Sequence, residues 1–347
     1  MKNRTPYTLL GLVILICLFL GYTISSLPVA ANISPLLFID VISFSIVILS
    51  AFALYYGAFI TAGNKRIKLQ RFKLRWLQEV LLELGIIGTL IGITFIAAFV
   101  TTIKDMDRFI PMVGSGLAVS LTTIFYGFIP ALGLYFIEKR LIATKKDEIF
   151  APHSVKSGFS LRSIVGLWFV LGLLFGVINL LGIDVGKNPM PMFFNLPVLG
   201  LIITSLLISV FIYGGQATIQ ALRVPFWRVN ENEETLLSTL TAIRGNKRII
   251  ALLGLLLGLV TIIIGLKMLG AATEPFIVLV NYSSILSWCL LLILFLNLAE
   301  GQIAQQIYLQ TGEIHYEDRF FIAKFILPSF ILLYFLLLLD VIFLFIA

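Results

Sequence analysis

Nine long apolar runs dominate the chain, at roughly residues 7–27, 35–60, 82–103, 109–137, 162–183, 192–214, 249–271, 275–298 and 321–346. About 20 mostly apolar residues suffice for a helix to cross a bilayer. A helix is the natural form for such a run, because backbone polar groups find no water in hydrocarbon and must pair internally. Hydrophobic residues make up 59% of the 347, charged residues 12%, and the mean hydropathy is +1.05. A soluble domain carries about 25% charge. The composition excludes a soluble enzyme, a disulfide scaffold and a disordered chain. The expected fold is all-α and polytopic, with about nine transmembrane helices.

The net charge of +7 comes from where the basic residues sit. Connections 61–81, 138–161 and 215–248 hold six, five and five Lys/Arg, and the N-terminus adds Lys2 and Arg4. The alternate connections hold only Lys104, Arg108 and Lys187. Because Lys/Arg stay on the cytoplasmic side, the N-terminus is expected inside and, after nine spans, the C-terminus outside. The basic excess is thus a topology signal, and no nucleic-acid partner is expected. Lys2, Arg4 and Val29-Ala30-Ala31 also fit a cleavable signal, but the first run is long enough to be a retained helix. Segment 64–81 mixes Ile67, Phe72, Leu74, Trp76 and Leu77 with basic residues, as an interfacial helix leading into the third span would. Cys17 and Cys289 lie in apolar runs, and His153 and His315 are far apart. Neither pair suggests a metal site or catalytic centre, so no enzyme activity and no cofactor are expected.

The chain reads as a tandem parallel duplication. Residues 1–140 form a four-span unit, 141–161 a cytoplasmic linker, 162–300 a degenerate second copy, and 301–347 a cytoplasmic linker and ninth helix. IIGTLIG (86–92) matches LLGLLLG (252–258) 166 residues later, placing Gly88 and Gly92 on Gly254 and Gly258. FIPMVGS (109–115) matches FIVLVNY (276–282) 167 residues later. The first copy keeps hydroxyls that the second loses: Thr89 becomes Leu255, Thr122 Cys289 and Thr123 Leu290.

Residues 82–140 carry the most specific pattern. Gly85, Gly88 and Gly92 recur at helical spacing and make one smooth face, with Thr89 beside it. Gly116, Ser120, Thr123 and Gly127 form a second small, polar stripe. Such stripes let transmembrane helices approach closely and hydrogen-bond.

Read in order, these stretches resemble the MotA/TolQ/ExbB proton-channel family. GIIGTLIGI (85–93) is similar to that family's Gly-x-x-Gly-Thr-x-x-Gly signature, and GSGLAVSLTTIFYG (114–127) to its fourth-span pattern in the flagellar stator branch. The resemblance implies a ring, typically a pentamer, around a pair of single-span MotB/TolR/ExbD-like partners in the lipid of a bacterial cytoplasmic membrane. Those partners carry a membrane-embedded aspartate that H+ or Na+ loads and unloads, so ion flow drives mechanical work. By resemblance Thr89 and Thr123 line the ion pathway, with Thr122 and Ser120 second. Three departures stand out. The segment between spans two and three is only about twenty residues long, the usual proline before the signature gives way to Glu83 and Leu84, and the second copy is extra.

In-membrane charges are functional candidates by default. Asp40 is expected near the outer end of its span, Glu83 at the inner interface of the third, and Asp340 near the outer surface. A non-conducting scaffold and a secondary transporter with a site between the repeats are the alternatives.

Overall fold

The computed structural model describes residues 40–59, 67–100, 106–143, 158–185, 193, 196–228, 231–268 and 276–314. The runs at 7–27 and 321–346, and Asp340 with them, lie outside the described residues. Within them the chain is almost wholly helical. The helices are α1 (Val41–Ala58), α2 (Ile67–Val100), α3 (Met106–Ala143), α4 (Leu161–Val185), α5 (Leu196–Tyr213), α6 (Gly215–Arg223), α7 (Glu233–Met268) and α8 (Phe276–Thr311). Six of them are long and apolar enough to cross a membrane: α1 to α5 and α8. The expected run at 249–271 is the apolar half of α7. Trp168 on α4 and Leu196, Leu207 and Phe211 on α5 are exposed along the sides of the bundle. Apolar surface of that extent is stable against lipid rather than water. The molecule is an all-α, polytopic membrane protein.

The architecture rests on two long antiparallel hairpins, α2–α3 and α7–α8, joined by α2 packing against α8. The α2–α8 register runs from Trp76, whose indole Nε1 donates to the Asn297 carbonyl at 2.8 Å, to Thr94, whose hydroxyl meets that of Ser283 at 2.6 Å. α1 packs chiefly on α4, and α5 lies along α7. Two residues each, β1 (Gly158–Phe159) and β2 (Trp227–Arg228), form an antiparallel ribbon. The ribbon ties together the connections before α4 and α7, so these two basic segments share one end of the bundle. Glu233 and Glu234 fill the first turn of α7, where the helix dipole favours negative charge.

Segment 64–81 turns several of its described apolar residues into the bundle. From Ile67 onward it is the first half of α2, and Leu69, Phe72 and Trp76 are buried. The aromatic rings explain this. Trp76 packs edge-on against Phe59 with centroids 5.1 Å apart, and Phe59 does the same to Phe72 at 6.1 Å. This cluster buries the apolar stripe against α1 and α8 instead of lipid.

Backbone contact sets the α2–α3 crossing. A Cβ at Gly127 would stand 2.6 Å from the Leu81 carbonyl oxygen, and one at Gly85 3.2 Å from the Thr123 carbonyl oxygen. Arg75 and Glu138 close the basic end of the hairpin with an ion pair at 2.7 Å. Gly127→Val should therefore destabilise the protein by about 1–3 kcal/mol, the usual cost of overpacking. Gly133→Ala, where nothing lies within 4 Å of the new methyl group, should be neutral or mildly stabilising. Thermal unfolding of the two variants in detergent checks the contrast.

Candidate functional site

The glycine and hydroxyl stripes meet each other. A Cβ at Gly88 would strike the Thr123 methyl group, and one at Gly92 the Ser120 hydroxyl. Thr89 is fully buried, and its hydroxyl shares its proton between the carbonyl oxygens of Gly85 at 2.9 Å and Ser120 at 2.7 Å. Thr123 is also buried, and its hydroxyl lies 2.9 Å from that of Ser43 on α1. Ser120 is buried in the same seam, whereas Thr122, one residue from Thr123 and on a different side of α3, is half-buried. Gly116 is helical within α3. Among the predicted residues, then, Gly85, Gly88, Gly92, Thr89, Ser120, Thr123 and Gly127 converge, and Thr122 does not.

The seam contains a carboxylate of its own. Asp40 caps α1: its Oδ1 accepts from the Ile42 N–H at 3.0 Å, and its Oδ2 accepts from the Ser43 hydroxyl. Its backbone N–H donates to the Tyr126 hydroxyl at 3.2 Å. Tyr126 and Thr123 lie near the middle of α3, and Asp40 stands beside them at the very start of the α1 span. Helix capping holds the acid at the start of α1, beside α3. Immediately after Ser43, residues Ser45–Leu49 form a π-helical turn. Such turns insert one residue into a helix and recur at functional sites.

A second polar group lies where the two hairpins join. Glu83 is 1% exposed, and both of its carboxylate oxygens accept from Asn297 Nδ2 at 2.7 Å. Asn297 Oδ1 accepts from Lys247 Nζ at 2.8 Å. Lys247 in turn donates to Glu300 Oε2 at 2.6 Å, and Arg244 Nε donates to Glu300 Oε1 at 2.9 Å. Asn297, Lys247 and Glu300 are all buried. Glu83 is thus enclosed among α2, α7 and α8. Lys247 and Arg244 looked like members of a basic connection, and Glu300 followed the end of an apolar run. The motif NLAE (297–300), with two strongly polar residues three apart directly after that run, was the available signal. It could not be interpreted before α7 was seen to continue unbroken through Lys247.

Among the described residues no three of His, Cys, Asp and Glu come together as a metal site. The gap between α2, α4 and α8 is lined by apolar groups such as Ile87, Leu174 and Phe193 and presents no charged group. No family model matches the chain, and no curated protein or solved structure matches it either.

Removing one member of a buried charged network leaves the others uncompensated, typically at a cost of 3–5 kcal/mol. Asn297→Leu should therefore lower stability by about 3 kcal/mol, as it strands Glu83 and removes a Lys247 contact. Glu83→Leu combined with Asn297→Leu should cost less than the sum of the single changes, since contacting residues are coupled. Denaturant unfolding of the three variants gives both values.

Proposed function

We propose that this chain is an ion-handling, energy-transducing membrane subunit of the MotA/TolQ/ExbB type, which couples H+ or Na+ flow to mechanical work. The observation that carries this reading is the contact of Asp40 with Ser43, and of Ser43 with Thr123, on the glycine-lined α2–α3 seam. A carboxylate at mid-membrane costs about 2.5–3.5 kcal/mol even on lenient scales. Hydroxyls solvate it without fixing its charge, which suits an acid that must be loaded and unloaded. An ion crossing 100 mV releases about 2.3 kcal/mol, enough to bias a conformational step.

In the single chain Thr89 and Thr123 face the neighbouring helices α1 and α3 or α2. An aspartate on a single-span partner would reach Thr123 only after α1 yields, so the acid nearest the pathway in this reading is Asp40. The ring, its pentameric number and the partner pair remain part of the proposal. So do a bacterial inner-membrane location with the N-terminus inside, the nine spans and the duplication. Supporting the duplication, a Cβ at Gly254 would strike Cys289 and one at Gly258 would strike Tyr282. Both glycines therefore face the second helix of their own hairpin, as Gly88 and Gly92 do in theirs. Supporting the orientation, the β1–β2 ribbon gathers Arg162, Arg223 and Arg228 at one end.

A second reading, a non-conducting scaffold, has its own observation: the Thr89 hydroxyl is fully engaged by two carbonyl groups, as packing alone would require. Ion flux into liposomes, with and without a co-purified single-span partner, separates the two. Asp40→Asn and Thr123→Val should each lower flux by about tenfold, the effect of about 1.4 kcal/mol on a barrier. Thr89→Val should have the smaller effect. Flux equal to that of empty vesicles, or unchanged in both variants, leaves the scaffold.

A further inference from the structure

We propose that Glu83 is a proton-binding site, built into the joint between the two hairpins and electrostatically coupled to the Lys247–Glu300–Arg244 ion-pair group. This site shares no residue with the Asp40 seam and does not rest on that seam conducting.

The two buried acids at the joint are treated unequally. Glu300 bonds directly to both cations, one on each carboxylate oxygen. Glu83 receives only the amide of Asn297, which stands between it and Lys247. The charged groups facing Glu83 are Lys247 from α7, Glu300 from α8 and Glu79 from α2 itself. One cation is thus shared between two acids, with a third acid nearby. Adding a proton to Glu83 removes one negative charge from this group, and Lys247 is then left to Glu300.

Asn297 is suited to both states. Its Nδ2 donates to a carboxylate oxygen, and the same bond persists to the carbonyl oxygen of the neutral acid. The proton comes from hydronium, leaves a water molecule behind, and forms the O–H bond on the other oxygen. A metal cation is a poor occupant, because an amide N–H and an ammonium, both donors, already line the approach to the acid. The ligand class is therefore the proton rather than Na+.

Further acceptors on α7 and α8 are unsatisfied. Gln302 Oε1 and Gln306 Oε1, between Asn297 and the end of α8, and Asn246 Oδ1, beside Lys247, are buried without a hydrogen-bond partner. Buried acceptors of this kind are ordinarily satisfied by water. Gln302 turns its side chain toward α1 and α4, where its Nε2 donates to the Gly57 carbonyl and to the Ser163 hydroxyl.

Coupling follows from position. Glu83 belongs to the first hairpin, and its network partners belong to the second. A change in its charge alters a polar contact group that joins α2 to α8 and, through Lys247, to α7, so proton occupancy should bias how the hairpins sit against each other.

The test uses the full chain in its membrane and a hydrophobic carbodiimide, which adds covalently to protonated buried carboxyl groups. Peptide mass spectrometry then locates the adduct. Glu83 should label at low pH and progressively less as pH rises. As pH rises its labelling should outlast that of Glu300, whose two carboxylate oxygens are each held by a cation. Labelling at Glu83 should be lost in Glu83→Gln. In Lys247→Met, folded as judged by monodisperse elution, it should persist to higher pH, because the cation that favours the anion is gone. No adduct on Glu83 at any pH, or labelling that does not respond to pH or to Lys247→Met, overturns the proposal. The seam variants are read by flux and Glu83 by labelling, so failure of one reading leaves the other standing.

Discussion

α2 has two faces that ask for different neighbours, and the rest of the bundle is arranged around that conflict. One face carries Leu81, Gly85, Gly88 and Gly92 and lies against the backbone of α3. Another, at helical spacings of seven and eleven residues, carries Trp76, Glu83 and Thr94 and lies against α8. The first face is satisfied by close approach and dispersion. The second can be satisfied only by hydrogen bonds, because hydrocarbon offers none. A helix with both faces cannot sit at the edge of the bundle, and α2 is accordingly buried along most of its length.

The polar content of the joint follows from the same constraint. Interhelical hydrogen bonds in membranes contribute only about 0.6–2 kcal/mol each, too little to justify burying two acids and a lysine for stability alone. Replacing such groups with apolar residues is often neutral or stabilising. That the chain retains Glu83, Asn297, Lys247, Glu300 and Arg244 in mutual contact is therefore better explained by what the charges do than by what they hold. The Asp40 seam follows the same logic on a smaller scale, with hydroxyls in place of cations.

Much of this was legible in the sequence. Within the described residues the apolar runs marked helices, six of them long and apolar enough to cross a membrane, because a span requires length and little else. The glycine and hydroxyl stripes at 85–92 and 116–127 correctly indicated that α2 and α3 would pack on each other, since helical spacing alone puts those residues on one face. Less legible was the direction of the hydroxyls. Thr89 and Thr123 resembled residues lining a shared pathway, yet Thr89 serves backbone carbonyls and Thr123 serves Ser43 on α1. Nothing in the spacing of α2 and α3 reveals a third helix that covers them. The contacts of Asp40 were hidden for a related reason. Its apolar run extends on both sides of it, whereas its capping role at α1 and its contact with Tyr126 are tertiary facts.

Periodicity and hydropathy by themselves determined that the chain is helical, lies in a membrane and pairs α2 with α3, because each property depends only on residues near one another in sequence. Which charged side chains meet was decided only by the tertiary structure. Glu83 and Asn297 are 214 positions apart, and Lys247 reaches them only because α7 continues through a stretch that reads as a polar loop. Long-range pairing of this kind depends on how the two hairpins dock, and docking leaves no periodic trace in the sequence.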